Sequence, residues 1–343
     1  MAALVAAPRS HLDPDVVVLL DEIRARLARV FRAPDGALAL AVSGTGTSAM
    51  ETAVANLTEP GCRALVVVNG YFGERLATML KRYGADVVRV EGEWGRAIDP
   101  EAVRAALSGA RVDLLAIVHV ETSTGVVNPV PAVVALAREY GALSIVDAVT
   151  SLGAMPVDIS GWGVDACYSC SQKGLGAPSG LSPIVFAPTA LARRVACRSF
   201  YLDLGLIEDY WVRRRYHHTI SAPLVYALHA ALGEVEEEGL DARWKRHEQT
   251  HQKLVQALDA HGLSLAPPVG ERAWSLNAVR IPNGVDDVAV RTTLIGRHQI
   301  EIGAGLGPLA GAIWRIGLMG YGATAENADR VVQALVKALG ETR

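Results

Sequence analysis

From about residue 64 to residue 188 the chain alternates short apolar runs with stretches of helical spacing, and this alternation restricts its fold more than any other feature. The runs are ALVVVN, DVVRVEG, DLLAIVHV, ALSIVDA, DACYSCS and PIVFAP. Between them lie helical stretches such as Phe72 to Tyr83, Pro100 to Leu107 and Pro131 to Tyr140, the second preceded by Asp99 as an N-cap ahead of a first-turn proline. Strands separated in this way by helices form a mostly parallel sheet covered on both faces. Ligands of such sheets bind beyond the carboxyl ends of the strands. Chemistry is therefore expected in the loops after Val42, Val120, Val146 and Cys170.

The flanks complete an α/β plan. Val16 to Phe31 has the spacing of an amphipathic helix, and a strand is expected over Ala37 to Val42. A Gly/Ser/Thr turn, SGTGTS, then leads into an Ala-rich helix, Ala49 to Leu57, which stops at the EPG of Glu59 to Gly61. Around Pro223 a long helical region begins and runs through EVEEEGLDARWKRHEQTHQKLVQAL. After it, LNAVRIP and IWRIGLMG read as strands and Ala325 to Leu339 as a closing helix. We divide the chain into a short N-terminal segment (1–15), a large domain (16–235) and a smaller α+β C-terminal domain (236–343).

Composition excludes several classes of function. The chain has 343 residues, half of them hydrophobic and a fifth charged, with a net charge of −3. That balance offers no basic surface to a nucleic acid or an acidic membrane. The longest apolar runs are strand-sized, too short to cross a bilayer. MAALVAAPRS at the start lacks the charged opening and long apolar stretch of a secretory signal, so the expected location is the cytoplasm. Cys167 and Cys170 form a C-x-x-C without the second pair that a zinc site wants; they read as small buried residues in a reducing compartment.

Five lysines are available for amine chemistry: Lys81, Lys173, Lys245, Lys253 and Lys337. Four sit in helices among charged neighbours and read as solvated. Lys173, in SQKGLGAPSGL, lies between a strand end and a glycine-rich apolar loop with no acid nearby in sequence. Desolvation there lowers an ammonium's pKa, the condition for a Schiff-base nucleophile; the competing reading is a buried lysine satisfied by backbone carbonyls. Asp147, at the end of LSIVD, suits a carboxylate that keeps a pyridine nitrogen protonated, or alternatively a cap of the following turn. Arg315 lies in an apolar strand, where its guanidinium must face a carboxylate of the protein or of a substrate.

Two motifs invite other chemistry. Gly44, Gly46 and Ala49 spell G-x-G-x-x-A, but LVVV ends in Asn69 and Gly70 where a dinucleotide site needs an acid, so Ser43 to Thr47 reads as a phosphate cup at a helix start. His247 to His251 spells H-E-Q-T-H, the zinc-protease pattern. Its helix is densely charged, no further histidine follows at ligand spacing, and Glu271 falls in a loop. A solvated helix face is expected, and no metal.

Taken in order, Ser43 to Thr47, Asp147, SCSQKGLGAPSG, YHHTI at Tyr216 to Ile220 and WRIGLMG resemble the alanine/serine:glyoxylate aminotransferases, class-V enzymes of the fold-type I group that use pyridoxal 5′-phosphate (PLP). The resemblance runs from about His11 to the end. It implies a mostly parallel seven-stranded sheet and Lys173 as the Schiff-base lysine, with Asp147 as partner of the pyridine nitrogen. It also implies Thr45, Gly46, Thr47 and Gln172 on the phosphate side, and Thr122 near the phenolic oxygen. Arg315 corresponds to the anchor of the substrate carboxylate. Tyr216 and Thr219 match the pair that reaches the phosphate of a neighbouring subunit, which implies a homodimer with shared sites.

The sequence departs from the family at two points. Phe72 stands where the family often stacks a tryptophan on the pyridine ring, and MAALVAAPRS stands where a Gly-Pro-rich segment usually wraps onto the partner. The expected reaction moves an amino group from alanine or serine to glyoxylate, giving glycine. The alternatives are another donor or acceptor, such as ureidoglycine or pyruvate, and a PLP-binding protein that has lost turnover.

Overall fold

The computed structural model describes residues 2–7 and 9–341. Met1 and Pro8 of the N-terminal segment, and residues 342–343, lie outside the described residues.

The apolar runs form the strands β1 (Leu38–Ser43), β2 (Arg63–Val68), β3 (Asp86–Glu91) and β4 (Leu114–Val118). A hairpin of two-residue strands follows, β5 (Val120–Glu121) and β6 (Val126–Val127), and then β7 (Leu143–Asp147), β8 (Ala166–Tyr168) and β9 (Leu181–Phe186). Seven of these make one sheet in the order β1-β9-β8-β7-β4-β2-β3. β8, β7, β4, β2 and β3 pair in parallel, whereas β9 runs antiparallel to both β1 and β8. Every residue of β4, β7 and β9 is buried, as expected of strands with helices on both faces, while β3 at the edge is largely open. The carboxyl ends of β1, β4, β7 and β8 thus open on one side of the sheet. The helix after β1 begins at Gly46, one turn earlier than the alanine run suggests.

A second, smaller layer is built on β10 (Leu276–Arg280), β11 (Gly303–Ala304) and β12 (Ile313–Gly317), an antiparallel sheet in the order β10-β12-β11. Helices Leu240–Asp259, Asp287–His298 and Ala325–Glu341 accompany it, and its apolar core, with Trp314, Leu254 and Leu335 fully buried, is separate from the core of the large sheet.

The helical region expected as one long run is two helices, Ala222–Glu238 and Leu240–Asp259. Gly239 divides them with φ 79° and ψ 140°, a conformation that side-chain-bearing residues avoid. The first helix packs on the large core through Val225, Leu228, Leu232 and Val235, and the second on the small core through Leu254 and Leu258. The break therefore sits where the chain passes from one core to the other.

The second helix also corrects the reading of HEQTH as a solvated face. His247 is 0 % exposed and His251 8 %. The Nδ1 of His247 donates to the Arg243 carbonyl (2.7 Å) and its Nε2 accepts from the Gly320 N–H (3.0 Å), while His251 Nδ1 bonds Asn277 Oδ1 (2.6 Å). Both rings serve as structural pins between this helix and the strands and loops of the smaller layer. Lys245 takes the solvent side, whereas Arg243 is itself buried and donates to the Gly153 and Gly174 carbonyls. Cys167 and Cys170 are buried and free, as expected. No helix among the described residues is long and apolar enough to cross a membrane.

Candidate active site

At the carboxyl end of the large sheet a cavity of about 180 Å³ is lined by Thr45, Gly46, Thr47, Phe72, Thr122, Asp147, Gln172 and Lys173, together with Met50, Arg75 and Val149. Residues from the loops after β1, β2, β5, β7 and β8 thus meet in one place, as the geometry of a parallel sheet requires.

Asp147 closes β7 and is 2 % exposed. Of its two sequence readings, the structure shows the turn cap. Oδ1 caps the turn by accepting from the Val149 N–H (2.8 Å), and Oδ2 accepts from the Tyr168 hydroxyl (2.9 Å) one strand over. No cation pairs with it among the described residues. Burial therefore dominates and pushes its pKa up to about 7, although the two hydrogen bonds pull it down.

Lys173 lies in the turn after β8. Its Nζ makes neither a hydrogen bond nor an ion pair among the described residues, so the carbonyl-satisfied reading does not describe it. Burial lowers its pKa first, and the nearby Arg315 charge adds to that, against opposing pulls from Cys170 and Asp147. A lysine so placed has a larger neutral, nucleophilic fraction at neutral pH than a solvated one. The other lysines differ in kind: Lys81, Lys245 and Lys337 are exposed, and Lys253 pairs with Asp329 at 2.9 Å.

The cup is the amino end of the helix Gly46–Leu57. Thr45 occupies the N-cap position without using its side chain to cap, and although the Ser48 N–H donates to the Thr45 carbonyl (2.7 Å), the Thr45 hydroxyl and the amides of Gly46 and Thr47 remain to bind an anion. A Cβ on Gly46 would stand 3.0 Å from Val149 and 3.5 Å from Cys170, so glycine lets the helix end approach the turns that carry Asp147 and Lys173. Phe72 lies in the first turn of the helix Tyr71–Arg82, its ring edge-on to Tyr71 at 5.6 Å.

Two residues of this site carry no signal in the sequence. Arg75, one turn further along that helix, donates from Nη1 to Thr47 Oγ1 (2.9 Å), and its guanidinium lies over the rings of Phe72 (4.8 Å) and Tyr71 (5.4 Å). Glu121, 0 % exposed, accepts from the N–H groups of Phe72 (3.2 Å), Gly73 (3.2 Å) and Ser123 (3.1 Å) and from the Ser123 hydroxyl (2.6 Å). Burial raises its pKa, and these donors oppose the rise.

Arg315 projects from β12 of the small layer. Nε donates to the Ala304 carbonyl (2.7 Å) and Nη1 to the Thr122 carbonyl (3.3 Å), the latter in the β5–β6 hairpin. No carboxylate of the described residues pairs with it. Thr122 in turn shares a hydroxyl contact with Thr150. Tyr216 and Thr219 are not brought to this cavity. Tyr216 is 63 % exposed and its hydroxyl lies 3.4 Å from Thr219 Oγ1, on a segment that ends at the helix Ala222–Glu238.

Comparison with known proteins identifies the family. The family model "Aminotransferase class-V" matches residues 1–331. An alanine–glyoxylate aminotransferase of Drosophila melanogaster is 35 % identical over 97 % of this chain and 87 % of its own length. An (S)-ureidoglycine–glyoxylate transaminase of Bacillus subtilis is 35 % identical over 95 % of this chain and 83 % of its own. The crystal structure of an alanine–glyoxylate aminotransferase from Nostoc sp. superposes with a TM-score of 0.96 at 45 % identity, covering 98 % of this chain and 91 % of that one. The fold is thus that of the fold-type I aminotransferases, and the chain belongs to the class-V aminotransferases.

Proposed function

We propose that the protein uses PLP to move an amino group from alanine or serine to glyoxylate, producing glycine. The observation that carries this reading is Lys173: a half-buried amine without a partner among the described residues, in one small cavity with a carboxylate that has no ion pair and an open helix end. The residues present fit the cofactor. Asp147 has no cation of its own and would gain one in a protonated pyridine nitrogen, and the Thr45 to Thr47 turn leaves donors for a phosphate. Phe72 would cover the ring, with less area than a tryptophan, while Thr122 and Gln172 would complete the contacts.

When bound, PLP supplies an electron sink for the bond to the substrate's α-carbon. The chain supplies the rest. Lys173 would hold the cofactor and, once its amine is free, would act as the base that takes the proton from the substrate α-carbon and later returns one. Arg315, fixed by two carbonyls, grips the substrate carboxylate and so orients the bond that breaks. Tyr216 and Thr219, absent from their own cavity, would serve the cavity of a second copy, which makes the enzyme a homodimer. Free cysteines fit a reducing compartment, so we place it in the cytoplasm.

Lys173→Ala should lose the visible absorbance that wild type acquires with PLP, and transamination should fall by at least about a thousandfold. Retention of both colour and activity would sink the reading. The similarity to the Bacillus subtilis transaminase supports (S)-ureidoglycine as an alternative donor. Single-turnover spectra with alanine, serine and (S)-ureidoglycine, followed by glyoxylate, rank the three.

A further inference from the structure

We propose that Arg75 is a positioning residue of the phosphate cup, one that fixes the Thr47 hydroxyl as a donor toward a bound phosphate. The proposal rests on the reading of Thr45 to Thr47 as that cup. Thr47 Oγ1 accepts from Arg75 Nη1 at 2.9 Å. A guanidinium has donors only, so it cannot take the hydroxyl's own proton. No protein group among the described residues takes it either, which leaves that proton for an acceptor in the cavity that Thr47 and Arg75 both line.

Charge points the same way. Glu74 binds Arg89 and Glu51 accepts from the Tyr83 hydroxyl at 3.1 Å, while Asp147, in the same cavity, feels the charge of Arg75 without pairing with it. Arg75 therefore makes no ion pair among the described residues and stands beside the positive end of the helix Gly46–Leu57, an arrangement that an anion between them would stabilise. The rings of Phe72 and Tyr71 keep it there, since a guanidinium can stack on aromatic faces while remaining fully charged. One side chain thus ties the phosphate end of the site to the aromatic residue that covers the ring.

The test compares PLP with pyridoxal, which lacks the phosphate, in wild type, Arg75→Leu, Arg75→Lys, Thr47→Val and the Arg75→Leu/Thr47→Val double variant. Cofactor release from the holoenzyme and rebinding to the stripped protein are followed by visible absorbance. Arg75→Leu, which keeps an apolar stem against the rings, should weaken PLP by about 10- to 100-fold, the effect of losing a charged donor, and leave pyridoxal within about threefold. Arg75→Lys should recover most of the PLP affinity. In the Thr47→Val background the same Arg75→Leu change should cost less than about threefold, because the pair acts as a unit. Equal losses for PLP and pyridoxal, additive losses in the double variant, or no loss at all would overturn the proposal. A wild type that binds no PLP would instead overturn the functional reading beneath it.

Discussion

Asp147 is held at about 7, against 3.8 for an ordinary aspartate, because it is buried without a cation. Its folded-state value lies above the unfolded one, so the folded protein holds an extra proton between those values and this group's contribution to stability falls as pH rises through that window. For the cofactor-free protein the loss between pH 5 and pH 8 should be on the order of 3 kcal/mol. PLP should abolish it by supplying a positive ring nitrogen, and Asp147→Asn should abolish it without PLP. Denaturant unfolding at both pH values, with and without cofactor, checks this; an unchanged slope in Asp147→Asn refutes it. Among single residues, Lys173 and Asp147 were legible because scarcity and strand ends expose them: few lysines exist, and a carboxylate closing an apolar strand has few places to go. Arg75 and Glu121 were not. An arginine in an amphipathic helix and a glutamate in a polar loop look solvated until tertiary packing puts the one on two rings and the other under a helix end.

At the scale of elements, Glu121 is the fastening. It joins the β5–β6 hairpin to the start of the helix Tyr71–Arg82 and so sets where Phe72 and Arg75 stand. Gly70 is part of the same joint, since a Cβ there would lie 2.2 Å from Glu121 Cγ; its backbone is extended, so the demand is for space. Glu121→Ala would strand three N–H groups away from water and should cost about 3 kcal/mol or more, with Glu121→Gln costing clearly less, as read from denaturant midpoints. A loss under about 1 kcal/mol in Glu121→Ala would show that the helix start does not depend on it. The strands of the main sheet were readable from their apolar runs. The β5–β6 hairpin and β11 were not, because two residues cannot display a period. The helix Asp287–His298 also escaped, its apolar positions interrupted by Arg291, Thr292 and Thr293.

For the whole molecule, the proposed role of the exposed Tyr216 and Thr219 in a second copy's cavity predicts that a complete site needs two copies. Subunits carrying Lys173→Ala should complement subunits carrying Tyr216→Phe with Thr219→Ala, since each hybrid then holds one site with every residue intact. Mixed by co-expression in equal amounts, they should regain about a quarter of wild-type activity, a value set by random pairing in a two-fold dimer. No recovery above the sum of the separate variants would argue that each chain works alone.

β9, the strand that runs against its neighbours, has a bearing on how that work is done. Because it descends between β1 and β8, the stretch holding Lys173 leaves the sheet and re-enters it on the same side. It is bonded at both ends: Ser171 N–H to the Leu181 carbonyl (3.1 Å), Ala177 N–H to the Ser171 carbonyl (2.9 Å), and Gly44 N–H to the Gly180 carbonyl (2.9 Å). Arg243 grips the Gly174 carbonyl from the side (2.8 Å). In the proposed mechanism Lys173 is therefore a swinging arm on a stationary pivot: with its backbone tied down, its amine would leave a bound cofactor and return by rotating about its own side-chain bonds.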